Sequence, residues 1–162
     1  MEKVFIALGG NVGNVSENFN IAIEKISVLI GPIIKQSSLY KTEPWGNKNQ
    51  DDFLNKVVEV ETKQTAADVL ESILSIEKMM GRNRNKDDQF APRSIDIDIL
   101  FYGEEIIDET YLEVPHPRLQ LRNFVLTPLM EIAPGYIHPV LKKSIKELNE
   151  LNNDSSKVNK VH

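Results

Sequence analysis

The 162-residue chain has no cysteine, which removes disulfides, thiolate-bound zinc, iron–sulfur centres and thiol nucleophiles from consideration and fits a reducing compartment. It has no apolar run of the ~20 residues that would span a bilayer, and its opening MEKVFIALGG lacks the layout of a secretory leader. A soluble, cytoplasmic protein with no membrane partner is therefore expected. Histidine is scarce: His116, His138 and His162 fall in no HExxH or paired spacing, so no zinc site is expected. The net charge of -5 argues against broad nucleic-acid binding. No repeat, heptad series or low-complexity block divides the chain, and its length suits one well-cored domain over 1–162.

Arginine is absent from most of the chain, and its distribution is informative. Arg82, Arg84, Arg93, Arg118 and Arg122 all fall between Met80 and Asn123, while lysine supplies positive charge elsewhere. Guanidinium groups suit sites where phosphate or carboxylate is held in a forked geometry. Within the same region lies RSIDIDILFY, residues 93–102, a strand-like run that carries Asp96 and Asp98 between isoleucines. Alternation puts Ile95, Ile97 and Ile99 on one face and both acids on the other. Two residues of strand rise separate the acids by about 6.6–6.8 Å, where two charges repel by roughly 2.5 kcal/mol at an effective dielectric of ~20. Either the strand has a solvated polar face, or the acids hold a divalent cation. Hard oxygen ligands favour magnesium, which commonly binds one or two carboxylates plus substrate phosphates.

Periodicity predicts a buried strand over 4–8, then a helix starting at Ser16 and stopping at Gly31-Pro32. A second strand is expected over 33–42 and a third over 53–62, followed by a helix capped by Thr65 and ending at Gly81. The acidic strand comes next, then short strands near 105–107 and 112–114, a helix over 122–132, an amphipathic stretch over 145–151, and a disordered tail over about 152–162. Strand, helix, strand, strand, helix, strand is the ferredoxin-like order, with a mostly antiparallel sheet, and the fold class is α+β.

The loop Gly9-Gly-Asn-Val-Gly13 matches neither GxxxxGK[ST] nor GxGxxG, and reads as a structural turn that also lines a pocket. Trp45, the only tryptophan, sits among turn residues and serves either a ligand or the sheet. Asn55 shares a strand face with Phe53 and Val57, and a buried amide there requires partners from a heterocyclic ligand or from the protein. Residues 81–93 read as a charged, lid-like loop. His116 lies between two prolines beside Arg118 and Arg122, a setting for hydrogen bonding to phosphate.

The segments IALGGNVGN, LYKTEPWG, DDFLNKVVEVET, IEKMMGRNR, APRSIDIDILFYG, VPHPRL and RNFVLTPLMEIAP, in this order over about residues 4–135, resemble the hydroxymethyldihydropterin pyrophosphokinases of folate biosynthesis. The resemblance implies an α/β/α-layered, ferredoxin-like single domain. It also implies transfer of pyrophosphate from ATP to the hydroxymethyl group of 6-hydroxymethyl-7,8-dihydropterin, with release of AMP, by a monomer using two magnesium ions. Positional matching makes Asp96 and Asp98 the metal ligands. Thr42, Pro44, Trp45 and Asn55 match pterin-pocket residues, and Phe53 and Phe124 an aromatic pair around the ring. Arg82, Arg84, Arg93, His116 and Arg122 match the phosphate side, with Glu77 near the nucleotide, and Arg82 and Arg93 are the candidates for charge stabilisation during transfer. Gly10 where serine is frequent, Phe53 where tyrosine also occurs and Leu121 where glutamate is frequent depart from the pattern. The acids and arginines alone would also allow a different two-metal phosphoryl or nucleotidyl transferase, and a noncatalytic binding module is the rival from another class.

Overall fold

A computed structural model describes residues 1–42, 51–81 and 95–161. The main sheet contains β1 (Glu2–Gly10), β2 (Ile33–Gln36), β3 (Tyr40–Thr42), β4 (Phe53–Thr62), β5 (Asp96–Tyr102) and β8 (Val158–Lys160). Its order is β5-β1-β4-β3-β8, with β2 also on β4, and every pairing among these strands is antiparallel. Strands β6 (Ile107–Glu109) and β7 (Leu112–Val114) form a separate two-stranded ribbon.

Helices α1 (Val15–Leu29) and α2 (Ala66–Met79) cover one face of the sheet, where Val4, Ile6, Leu8, Val58, Val60 and Ile97 meet Phe19, Ile26, Val69 and Ile73. Helices α3 (Asn123–Ile132) and α4 (Ile145–Leu151) cover the other, where Phe5, Val57, Leu100 and Phe101 meet Leu126, Leu129 and Ile145. Covering both faces explains why 4–8 reads as an unbroken apolar run instead of an alternating one. The layers are thus α/β/α.

Local chemistry sets the element ends. Thr65 caps α2 by accepting from the Asp68 N–H. The α1 cap is Asn14, whose side chain accepts from the Glu17 N–H at 3.1 Å, so the helix begins ahead of Ser16. Gly31 is required where α1 turns into β2: a Cβ there would lie 1.9 Å from the Glu61 carbonyl oxygen.

The structure corrects three expectations. The strand expected over 33–42 is divided, because at Ser37 the side chain enters the pairing: its Oγ accepts from the Val57 N–H at 3.0 Å and donates to the Ser38 carbonyl at 2.8 Å. The strand expected at 105–107 begins at Ile107, because a turn in which the Glu105 N–H donates to the Tyr102 carbonyl occupies the preceding residues. The tail expected to be disordered instead supplies β8, which pairs with β3; strand pairing and polar anchors offset its weak hydrophobicity.

Strand β5 contains a bulge. Phe101 pairs with Phe5 and Ile99 with Ile6, so Leu100 is the extra residue. Ahead of it, Ile97 and Ile99 face α1 and α2 while Asp96 and Asp98 face the other way; beyond it, Phe101 joins Leu100 on the α3 side and Tyr102 returns to the α1 side.

Candidate active site

On the α3 side, the C-terminal half of β1 and the N-terminal halves of β4 and β5 form the floor of a cavity of about 430 Å³. The ladder register aligns three strands there: Gly9 pairs with Asp96 on one side and with Asn55 on the other. Strand spacings of about 4.8 Å therefore put the acid and the amide roughly 9–10 Å apart at the backbone. Gly9, between them, contributes no side chain. A Cβ at Gly9 would meet Asn55 Oδ1 at 3.2 Å, so the glycine keeps the floor open.

Asp96 and Asp98 are both half-buried, while Ile95 and Ile97 behind them are fully buried. Asn55 Nδ2 donates to Thr42 Oγ1 at 3.1 Å, and both residues are buried. Phe53 from β4 and Phe124 from α3 line the same cavity, and the Arg122 guanidinium lies 5.4 Å from the centre of the Phe124 ring. Asn11, in the glycine loop, donates through Nδ2 to the Asp51 carbonyl and ties the end of β1 to the approach to β4.

His116 enters the cavity between Pro115 and Pro117. Its Nδ1 accepts from the Arg118 N–H at 3.2 Å, which leaves the proton of the neutral ring on Nε2 as a donor. Burial pushes its pKa down to about 4, the Arg122 and Arg118 charges push the same way, and Asp96 partly opposes them. The imidazole is thus neutral near pH 7.

Thr42, Phe53, Asn55, Asp96, Asp98, His116, Arg122 and Phe124 all line this one cavity. Pro44, Trp45, Arg82, Arg84 and Arg93 lie outside the described residues. Glu77 is absent from the lining and only 2% exposed. Its carboxylate accepts from the Ile97 N–H at 2.8 Å, so it supports the edge strand between the two acids. Sequence reasoning expected the glycine loop to line a pocket, which Gly9 does, but it left Arg118 out of the phosphate set although the arginine distribution contained the signal. It also missed Glu131, whose carboxylate takes hydrogen bonds from the Ser38 N–H, the Ser38 hydroxyl and the Tyr40 hydroxyl at 2.9, 3.0 and 2.6 Å. Burial, the Glu131 hydrogen bond and the Glu131 charge push the Tyr40 hydroxyl up to about 12. The C-terminal end of α3 is thereby latched to β3.

The family profile of 7,8-dihydro-6-hydroxymethylpterin-pyrophosphokinase (HPPK) matches residues 5–134. The chain belongs to this family. Among relatives of the pyrophosphokinase, the 2-amino-4-hydroxy-6-hydroxymethyldihydropteridine pyrophosphokinase of Aquifex aeolicus is 40% identical over 152 residues, covering 94% of this chain and 93% of that protein. The namesake from Methylorubrum extorquens is 40% identical over 139 residues, covering 85% and 86%. A folic acid synthesis protein of Pneumocystis carinii is 42% identical over 144 residues, which are 89% of this chain and 19% of that much longer one. Among solved structures, wild-type HPPK-DHPS of Plasmodium falciparum with pterin and p-hydroxybenzoate matches with a TM-score of 0.74 at 20% identity, over 93% of this chain and 41% of that one. At that identity the likeness is one of fold, and the pyrophosphokinase spans under half of that solved chain.

Proposed function

We propose that this pyrophosphokinase transfers pyrophosphate from ATP to the hydroxymethyl group of 6-hydroxymethyl-7,8-dihydropterin, in folate biosynthesis. The hydroxymethyl oxygen bonds to the β-phosphorus of ATP, the bond between that phosphorus and the α,β-bridging oxygen breaks, AMP departs, and the hydroxyl proton leaves to solvent. One observation carries the reading: a paired-acid strand and an amide-and-aromatic wall face each other across a side-chain-free glycine, in one cavity.

The Asn55 carboxamide and Thr42 hydroxyl, fixed by their mutual hydrogen bond, present donors and acceptors to the edge of a flat heterocycle. Phe53 and Phe124 supply the apolar surfaces for its faces. On the acid side, neutral His116 offers its Nε2–H, and Arg118 and Arg122 their guanidinium groups, to phosphate oxygens. Asp96 and Asp98 are hard oxygen donors on one face, and no group of three or more potential ligands occurs among the described residues. This donor set fits magnesium ions that complete their shells with water and substrate phosphates. When bound, two such ions would neutralise phosphate charge on both sides of the transferred group. Arg82, Arg84, Arg93, Pro44 and Trp45 keep the roles that the family resemblance assigns them. We assign no general base, because alignment and charge stabilisation carry phosphoryl-type transfer.

We further infer that the working unit is a monomer in the cytoplasm. Among the described residues, no helix is long and apolar enough to cross a membrane.

Incubation of the protein with ATP, magnesium and 6-hydroxymethyl-7,8-dihydropterin, followed by chromatography of the nucleotides, tests the assignment. AMP should form only when both pterin and metal are present. ADP as product would replace it with ordinary phosphoryl transfer, and a folded protein without turnover would support a binding module.

A further inference from the structure

Helix α3 carries Arg122 and Phe124 at its start, and both line the cavity. Yet its N-cap residue, Arg122, makes no side-chain capping hydrogen bond. The missing acceptor comes from far along the chain: the Asn123 N–H donates to Asp154 Oδ2 at 2.9 Å. A carboxylate placed there satisfies an orphan helix amide and complements the positive end of the helix.

The Asn123 side chain is also fixed by the same segment. Its Nδ2 donates to the Asp154 carbonyl at 2.8 Å and to the Ser156 carbonyl at 3.0 Å, and its Oδ1 accepts from Asn152. The segment is itself organised by the Asp154 N–H donating to Asn152 Oδ1 and the Ser156 N–H donating to Asp154 Oδ1. Beyond it, β8 lies along β3, with Val158 opposite Thr42, and the Val161 N–H donates to the Leu39 carbonyl. From 152 to 158, half-buried even-numbered residues alternate with exposed odd-numbered ones, the pattern of an extended strip lying on a surface. The family profile ends at residue 134, so this strip lies outside the part of the chain that it describes.

We propose that residues 152–160 are a strap that positions the pterin end of the cavity, with Asp154 as its principal positioning residue. One end fixes Asn123, between Arg122 and Phe124; the other fixes the strand that presents Thr42. The strap therefore sets the separation between two cavity walls that have no covalent link nearby. This role rests on the pterin reading of the cavity above.

Three proteins test it: Asp154→Ala, Asp154→Asn, and the chain truncated after Leu151. In Asp154→Ala the KM for dihydropterin should rise at least fivefold, the KM for ATP by a smaller factor, and kcat at saturation less than twofold. Asp154→Asn, which keeps one oxygen for the Asn123 N–H, should recover part of the loss, and the truncation should reproduce or exceed it. Thr65→Ala removes a helix cap from the opposite layer and should lower the melting temperature while leaving the pterin KM within twofold. In folded Asp154→Ala, hydrogen exchange of the β3 amides and of the first turn of α3 should accelerate together. A pterin KM within twofold of wild type in folded Asp154→Ala would overturn the strap. Should the truncated chain fail to fold, the two point variants decide alone. A wild-type protein that forms no AMP would sink the pterin reading, and unchanged exchange in Asp154→Ala would then sink the strap independently.

Discussion

Replacing Gly9 with alanine puts a methyl group at the centre of the cavity floor. Gly9 is not among the positive-φ glycines of the described residues, Gly13, Gly81 and Gly103, so the backbone accepts the change and the unfolded chain loses freedom worth about 0.4–1 kcal/mol. The new Cβ, however, would lie 3.2 Å from Asn55 Oδ1, where ordinary contact runs from 3.4 to 4 Å. Asn55 must move by a few tenths of an ångström, and its hydrogen bond to Thr42, already 3.1 Å, resists or lengthens. Weakening one buried hydrogen bond costs about 1 kcal/mol, which offsets the gain in stability. The volume lost is minor: a methyl group occupies about as much space as one water, roughly 30 Å³, in a cavity of about 430 Å³. The effect on binding thus runs through the displaced amide. Gly9→Ala should melt within about 4 °C of wild type while the KM for dihydropterin rises about fivefold, the factor that about 1 kcal/mol gives when 1.4 kcal/mol is tenfold, and the KM for ATP changes much less. Steady-state kinetics with each substrate varied, beside a thermal melt, reads all three quantities. An unchanged pterin KM would refute the idea that Asn55 is held against Gly9 to read the heterocycle.

Two further predictions concern the phosphate side. Asp96→Ala should lower magnesium-dependent turnover at least about a hundredfold in protein that remains folded; turnover within twofold would remove the metal role from β5. For His116, a folded-state pKa of about 4 against an ordinary 6.5 means that the unfolded chain binds a proton in this interval and the folded one does not. Its contribution to stability should therefore decline as pH falls from about 6.5 to 4, and an NMR titration of the imidazole showing a midpoint above 6 would contradict the neutral donor.

What was legible in the sequence was local. Strand 53–62, the Thr65 cap and the shared face of Asp96 and Asp98 follow from alternation and capping chemistry that a short window contains. Whatever needed two distant segments was not. Ser37 interrupts its strand because its hydroxyl takes part in pairing with Val57, and the Glu77 carboxylate meets the Ile97 N–H because α2 packs behind β5. The tail looked disordered by composition, since its order rests on polar anchors to Asn123 and on one short pairing with β3. Within the cavity, the family resemblance supplied the roles and the register supplied the reason those residues meet: Gly9, Asn55 and Asp96 are far apart in the chain and adjacent on one ladder row.

The bulge at Leu100 gives β5 a spare residue. If Leu100 were deleted, Ile99 opposite Ile6 and Phe101 opposite Phe5 would become neighbours, and the strand would close into one uninterrupted alternation. Asp96 and Asp98 would keep the cavity face, and Phe101 its contacts with Phe5, Tyr136 and His138. The deletion removes the buried Leu100 side chain from the cavity lining and the α3-side core, worth about 1.5–3 kcal/mol. A chain lacking Leu100 should therefore melt lower while magnesium-dependent chemistry survives. The local length of this edge strand is set by what its core needs, and the acids upstream of the bulge are indifferent to it.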